Sequence, residues 1–152
     1  MARPPDLDAL GELKAVGGDG SWLDSPEDVA PFTSDFRRLY QGATPLVLLP
    51  RNVDDVVRIL QICHREAVAL VPHGGNTSYC GAATPDESGA QIVLSLRRLN
   101  RVRRVDAADY SMIVEAGCTL AGAQAAARDA QRLFPLSLGS EGTAQIGGNL
   151  ST

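Results

Sequence analysis

The strongest constraint on the fold lies between residues 46 and 78, where two apolar runs flank one amphipathic stretch and a glycine-rich loop follows at once. Leu46-Val47-Leu48-Leu49 stops at Pro50, and Ala67-Val68-Ala69-Leu70-Val71 is closed by Pro72. Both runs are short and continuously apolar, as buried strands are. Between them Asn52 is placed to cap a helix, with Asp54 and Asp55 in its first turn, where the helix dipole favours negative charge. Val53, Val56, Val57, Leu60 and Cys63 recur at helical spacing to about Glu66 and define the face expected to be buried. Strand, helix and strand make a βαβ unit, whose strands are expected to be parallel.

The rest of the chain is read around that unit. Leu7, Leu10 and Leu13 predict a short helix over 5–19, stopped by Gly17-Gly18. Residues 20–45 are turn-rich and read as an approach segment more than as a core element. Gln91–Leu96 predicts a strand, and 101–105 and 110–115 predict a strand pair around the polar turn Asp106-Ala107-Ala108-Asp109. Residues 119–131 form an alanine-rich helix with Thr119 as its start, and regular signals fade after Phe134-Pro135. The division expected is an N-terminal helix and approach segment over 1–45 and a principal domain over 46–152.

Bulk properties narrow the function classes. At 152 residues, 44% hydrophobic and 21% charged, the chain is long and apolar enough to bury a core. A net charge of −4 argues against a dedicated nucleic-acid binder. Lys14 is the only lysine, and the arginine clusters at 37–38, 97–98 and 101–104 read as solvated edges. Cys63, Cys80 and Cys118 are scattered, which gives neither a disulfide framework nor a zinc site and suits a reducing compartment. No run is long enough for a signal peptide or a membrane span, so the cytoplasm is the expected location. Neither a metal site nor a catalytic dyad is read, since His64 and His73 are the only histidines.

Two glycine-rich stretches carry the chemistry. The first is Pro72-His73-Gly74-Gly75-Asn76-Thr77-Ser78, and the second runs from Gly139-Ser140 through Thr143 to Gly147-Gly148-Asn149. Small residues let an anion approach bare backbone N–H groups, so both suit a phosphate-bearing ligand. There is no GxGxxG opening a helix and no GxxxxGK[ST], which excludes the Rossmann fingerprint and a Walker-type loop. The donors are therefore expected from an irregular loop, helped by the hydroxyls of Thr77 and Ser78 and needing no cationic side chain.

The order strand, helix, strand, P-x-G-G-N-T-S and then G-S-E-G-T-x-x-I-G-G-N resembles the FAD-binding domain of the vanillyl-alcohol oxidase (PCMH-type) flavoprotein superfamily, over about residues 40 to 152. That resemblance implies an α+β fold, a βαβ subdomain followed by a second α+β subdomain that is truncated here. It implies that the first loop binds the FAD pyrophosphate through Pro72, His73, Gly74, Gly75, Asn76, Thr77 and Ser78, extended by Gly81 and Ala82. In the second loop Gly139, Ser140, Thr143, Gly147, Gly148, Asn149 and Ser151 lie along the flavin and its phosphates. Members with covalent flavin usually carry a histidine directly after the glycine pair; Asn76 stands there, which implies non-covalent FAD.

Thr33-Ser34-Asp35-Phe36-Arg37-Arg38-Leu39-Tyr40-Gln41-Gly42 further resembles the D-2-hydroxyglutarate and D-lactate dehydrogenase branch, although Asp35, Arg38 and Tyr40 read equally as a local salt-bridged turn. The branch implies oxidation of a D-2-hydroxy acid to a 2-oxo acid, with an electron acceptor not named by the sequence; a homodimer is left open. Its substrate domain lies downstream of the second loop. The chain is therefore expected to be the N-terminal part of a longer enzyme, binding FAD weakly or not at all and showing no turnover. A sugar-lactone oxidase or cell-wall precursor reductase on the same fold, or a non-catalytic remnant, are the alternatives.

Overall fold

A computed structural model describes residues 4–151; Met1, Ala2, Arg3 and Thr152, which the expected segment bounds include, lie outside the described residues. The apolar run at 46–49 places strand β2, Val47–Leu48, and Asn52 caps helix α3, Val53–Arg65, its side-chain oxygen accepting from Asp55 N at 2.8 Å. Strand β3, Ala69–His73, follows, and β4 is Gln91–Ser95. With β1, Trp22–Leu23, these make one sheet in the order β1-β2-β4-β3.

The strands of the βαβ unit do point the same way, but they are not neighbours. Each pairs in parallel with β4, which lies between them: Leu48 opposite Leu94, and Val71 and Val47 on either side of Val93. The reason is chemical. β3 continues through Pro72, where the sequence placed its end, to His73 opposite Ser95. A proline has no N–H for a second ladder, so its strand suits the edge. β4 buries Ile92, Val93, Leu94 and Ser95 and takes the centre, as a continuously buried strand does.

On one face of the sheet, α3 packs with α1, Leu7–Gly17, around Leu13, Leu46, Leu48, Ile59, Ile62 and Ile92. The face of α3 differs from the one expected. Ile59, Ile62 and Cys63 are buried with Val56 partly so, whereas Val53, Val57 and Leu60 are exposed. Apolar residues cover more than half of this helix, so its periodicity allowed two stripes and packing on the sheet selected one. The turn-rich stretch 20–45 does more than lead in: β1 pairs antiparallel with β2, and Val29 of α2, Pro26–Val29, joins Phe32 over Val47, Leu49 and Val93 on the opposite face.

The second half is a hairpin with a helix on it. β5, Val102–Asp106, and β6, Ser111–Val114, pair antiparallel as expected, with an irregularity between Val102 and Arg104. Thr119 caps α4, Leu120–Asp129, its hydroxyl accepting from Gly122 N at 3.1 Å. Ala123 is fully buried beside Cys118, Leu120 and Ile146, where a larger side chain would hold the helix off the hairpin. Ile146 opens α5, Ile146–Asn149, a single turn inside the second glycine stretch that the sequence did not signal. The result is the mixed α+β class. No helix among the described residues is long and apolar enough to cross a membrane.

Candidate cofactor cleft

β3 delivers His73 to the rim of the sheet, where its carbonyl accepts from Leu96 N, and the chain then leaves the ladder. Among the described residues, no group of the chain accepts from the backbone N–H groups of Gly74, Gly75, Asn76, Thr77 or Ser78. Five consecutive backbone donors without an acceptor in the chain make a candidate cradle for an anion. Asn76 sits at φ +52° and donates its amide to Ser34 O at 2.8 Å, which ties the cradle to the 33–42 segment. Ser78 Oγ is engaged locally, 3.0 Å from Cys80 Sγ.

The 33–42 segment is a turn, built differently from the ion pair foreseen. Buried Asp35 accepts from Tyr40 N at 2.7 Å and Arg37 N at 3.1 Å, and those backbone donors, Tyr40 first, hold its carboxyl below the usual range. The Tyr40 ring covers Gly81, leaving no room for a Cβ there. Gly81 lines a second, smaller hollow of about 390 Å³ with Tyr40 and Thr84, outside the main cleft. Ala82 is exposed.

Most of the second stretch spends its donors on its own framework. Thr143 N and Ala144 N both donate to Ser140 O, Ile146 N to Cys118 O and Gly147 N to Ala116 O. Leu120 N and Ala121 N, at the start of α4, donate to Ala144 O and Glu141 O, and Asn149 N donates to Gln145 O. Gly147 is packed against Ala116, and Ser151 Oγ donates to Gly147 O at 3.0 Å. Gly139 and Gly148 face open space.

The two stretches meet. A Cβ at Gly75 would lie 2.0 Å from Thr143 O, so the backbones are in contact there. His73, Gly74 and Gly75 line a cleft of about 560 Å³ together with Gly142, Thr143 and Gln145 of the second stretch. Gly117, Cys118 and Thr119 close its floor, and Arg97 and Phe32 stand at its side. Of the residues foreseen for the site, His73, Gly74, Gly75 and Thr143 line this cleft, whereas Pro72, Asn76, Thr77, Ser78, Gly139, Ser140, Gly147, Gly148, Asn149 and Ser151 are not part of its lining.

Sequence reasoning missed Arg97 and Gln145. Arg97 lies 5.6 Å over the Phe32 ring, which is tilted against His73 at 5.0 Å, so the cleft does hold a cation. Its neighbours give it away only in three dimensions, because in sequence it is one more arginine after a strand. His73 is buried with Nδ1 3.0 Å from Ala83 O, a carbonyl that can only accept, so Nδ1 carries the proton. Burial, with the Arg97 charge adding to it, pushes the imidazole pKa below 6.5 against the pull of that bond; the ring is neutral at pH 7.

The floor is braced by Glu115. Following β6, it is buried and accepts from Arg101 N at 2.9 Å and from the guanidiniums of Arg101 and Arg103 at 3.0 and 3.1 Å. Arg101 foremost pushes its pKa down to about 2. Glu115 O in turn accepts from Cys118 N, and Gly117 N donates to Leu99 O, so β6 enters the cleft on a fixed path. Burial and the Glu115 charge push the Cys118 thiol up, which keeps it protonated and inert.

Solved structures place this architecture. An alkyldihydroxyacetonephosphate synthase superposes with a TM-score of 0.87 at 22% identity, over 100% of this chain and 30% of that one. p-Cresol methylhydroxylase with substrate bound gives 0.73 at 18% identity, over 86% and 27% of the two chains. These likenesses define the fold. The family model described as FAD binding domain matches residues 44–152, and the chain belongs to that family. Among its relatives, the D-2-hydroxyglutarate–pyruvate transhydrogenase of Saccharomyces cerevisiae is 36% identical over 97% of this chain. The mitochondrial D-2-hydroxyglutarate dehydrogenase of Bos taurus is 33% identical over 88% of it. The chain spans 30% and 24% of the lengths of these two relatives.

Proposed function

We propose that this chain is the FAD-holding part of a flavin-dependent dehydrogenase that oxidises a D-2-hydroxy acid to the 2-oxo acid, with FAD bound non-covalently. The observation that carries the reading is the cradle of five unaccepted N–H groups at 74–78 opening beside a cleft that also holds the Arg97 cation. A diphosphate suits that donor set, each hydrogen bond to a charged oxygen contributing about 1.5–3 kcal/mol. The relatives' substrates, as named, favour a D-2-hydroxy acid. Asn76 after the glycine pair, its amide engaged by Ser34 O, offers no imidazole for attachment, which supports dissociable FAD.

Bound flavin supplies the two-electron acceptor. The residues of this chain bind and orient it: the 74–78 amides and Arg97 neutralise phosphate charge, neutral His73 walls the cleft without adding a cation, and the Glu115 brace keeps the floor in place. The chain spans 30% and 24% of the two named relatives, and the reading assigns substrate recognition and proton transfer to the part of such an enzyme outside these residues.

Titration of the purified chain with FAD, followed by Trp22 and flavin fluorescence, is expected to show weak saturable binding, with no dye reduction on adding D-2-hydroxyglutarate. No binding at millimolar FAD, either by this chain or by a longer chain that contains it, overturns the cofactor assignment. Turnover by the chain alone overturns its assignment as a part. Arg97→Gln is expected to raise the FAD Kd roughly five- to tenfold at low salt and to flatten its salt dependence, since one charge-assisted contact is lost. An unchanged salt slope places the phosphates elsewhere.

A further inference from the structure

Gln145 is the buried polar group of this cleft that the chain leaves unanswered. It is 8% exposed, and among the described residues its Oε1 has no hydrogen-bond partner and no hydrogen bond engages the other end of its amide. Oε1 lies against Gly74, 3.5 Å from where a Cβ would project. The main chain around Gln145 is held in place: its carbonyl accepts from Asn149 N, and its neighbours Ala144 and Ile146 bridge to the residues beside Thr119 through Leu120 N and Cys118 O. The main chain thus fixes the residue, while the side chain contributes no bond to the fold. Buried amides are ordinarily paired, and an unpaired one marks a strained or ligand-facing position.

We infer that the Gln145 amide recognises FAD through an edge that carries a donor and an acceptor side by side, and not through the phosphates; this rests on the FAD reading above. A carboxamide presents one acceptor and two donors in a plane. A phosphate oxygen accepts only, so it would answer the NH₂ end and leave Oε1 orphaned. A vicinal diol, an imide edge or an aminopyrimidine edge answers both ends. FAD carries such groups in its flavin–ribityl half and in its adenosine half. The phosphates are left to Arg97 and the 74–78 amides.

The test compares the 152-residue chain with Gln145→Met, which keeps the length and removes the hydrogen-bonding ends. Kd values for FAD, riboflavin, ADP and inorganic pyrophosphate are measured, with melting curves of the ligand-free proteins. The expected result is a roughly tenfold rise in the FAD Kd, an unchanged pyrophosphate Kd, and a ligand-free melting midpoint that is unchanged or higher. Whichever of riboflavin or ADP loses affinity by the same factor identifies the half that Gln145 reads. An unchanged FAD Kd overturns the inference, as does an equal loss for pyrophosphate. A lowered midpoint without ligand also overturns it, since the amide would then serve the fold. If neither this chain nor a longer chain that contains it binds FAD at millimolar concentration, the cofactor reading itself fails, and that outcome is separate from the other three.

Discussion

Gly75→Val is expected to lower the melting midpoint of the chain by about 5–10 °C and to abolish measurable FAD binding, while Gly74→Ala leaves the midpoint within about a degree or two. The contrast comes from one residue of spacing. A Cβ at Gly75 would stand 2.0 Å from Thr143 O and 2.7 Å from Thr143 C, both backbone atoms. No rotamer relieves that overlap, so the 143–145 segment would be pushed away, and overpacking of this kind costs about 1–3 kcal/mol or more. For a domain of this size each kcal/mol moves the midpoint by about 2–4 °C.

Neither Gly74 nor Gly75 has a positive φ, so the demand at Gly75 is for close approach and not for a special backbone conformation. At Gly74 the nearest atom to a new Cβ is Gln145 Oε1 at 3.5 Å, an ordinary contact. Gly74→Ala should therefore fold normally yet lose FAD affinity, because its methyl projects beside the Gln145 amide in the cleft. Differential scanning fluorimetry with a flavin titration separates the two effects. Equal midpoints for Gly75→Val and the parent would mean that the two glycine segments do not touch.

The sequence carried the local architecture and the two loops, and it was silent on their meeting. Apolar runs, Asn52 and Thr119 as caps and the polar turn at 106–109 each act within a few residues, so they were legible. Strand order was not, because it depends on how residues 74–90 bring β4 back between β2 and β3. One clue existed: Pro72 inside the extended strand already argued for an edge position. The buried face of α3 was ambiguous for a physical reason, since seven apolar residues around one helix fit more than one stripe. The glycine loops were recognised by their small residues, yet only those at 73–75, 142 and 143 face the cleft. Gly147 looks like its neighbours in sequence and serves packing against Ala116 instead. Arg97 and Gln145 belong to no local pattern; they became visible only when one was seen beside Phe32 and the other without a partner.

Acid should separate the parent from Glu115→Gln in a way that assigns the brace to charge. The Glu115 carboxyl titrates at about 2 in the folded chain against an ordinary 4.5, with the Arg101 side chain as the largest cause. A depressed folded pKa means that the unfolded state binds the extra proton first, so the stabilisation is complete above about pH 4.5 and is lost as the pH falls toward 2. Glutamine keeps the size and an acceptor for Arg101 N but removes the anion that gathers two guanidiniums. The midpoint of Glu115→Gln is thus expected below that of the parent at pH 5–7, with the gap narrowing from pH 4.5 downward and closing near pH 2. Asp35, also held low by its turn, is present in both proteins and cancels from the difference. The floor of the cleft hangs from this site through Cys118 N on Glu115 O, so FAD affinity at pH 7 should fall together with the midpoint. A gap that stays constant down to pH 2 would show that the side chain acts through packing, and the arginine pair would then have no part in shaping the cleft.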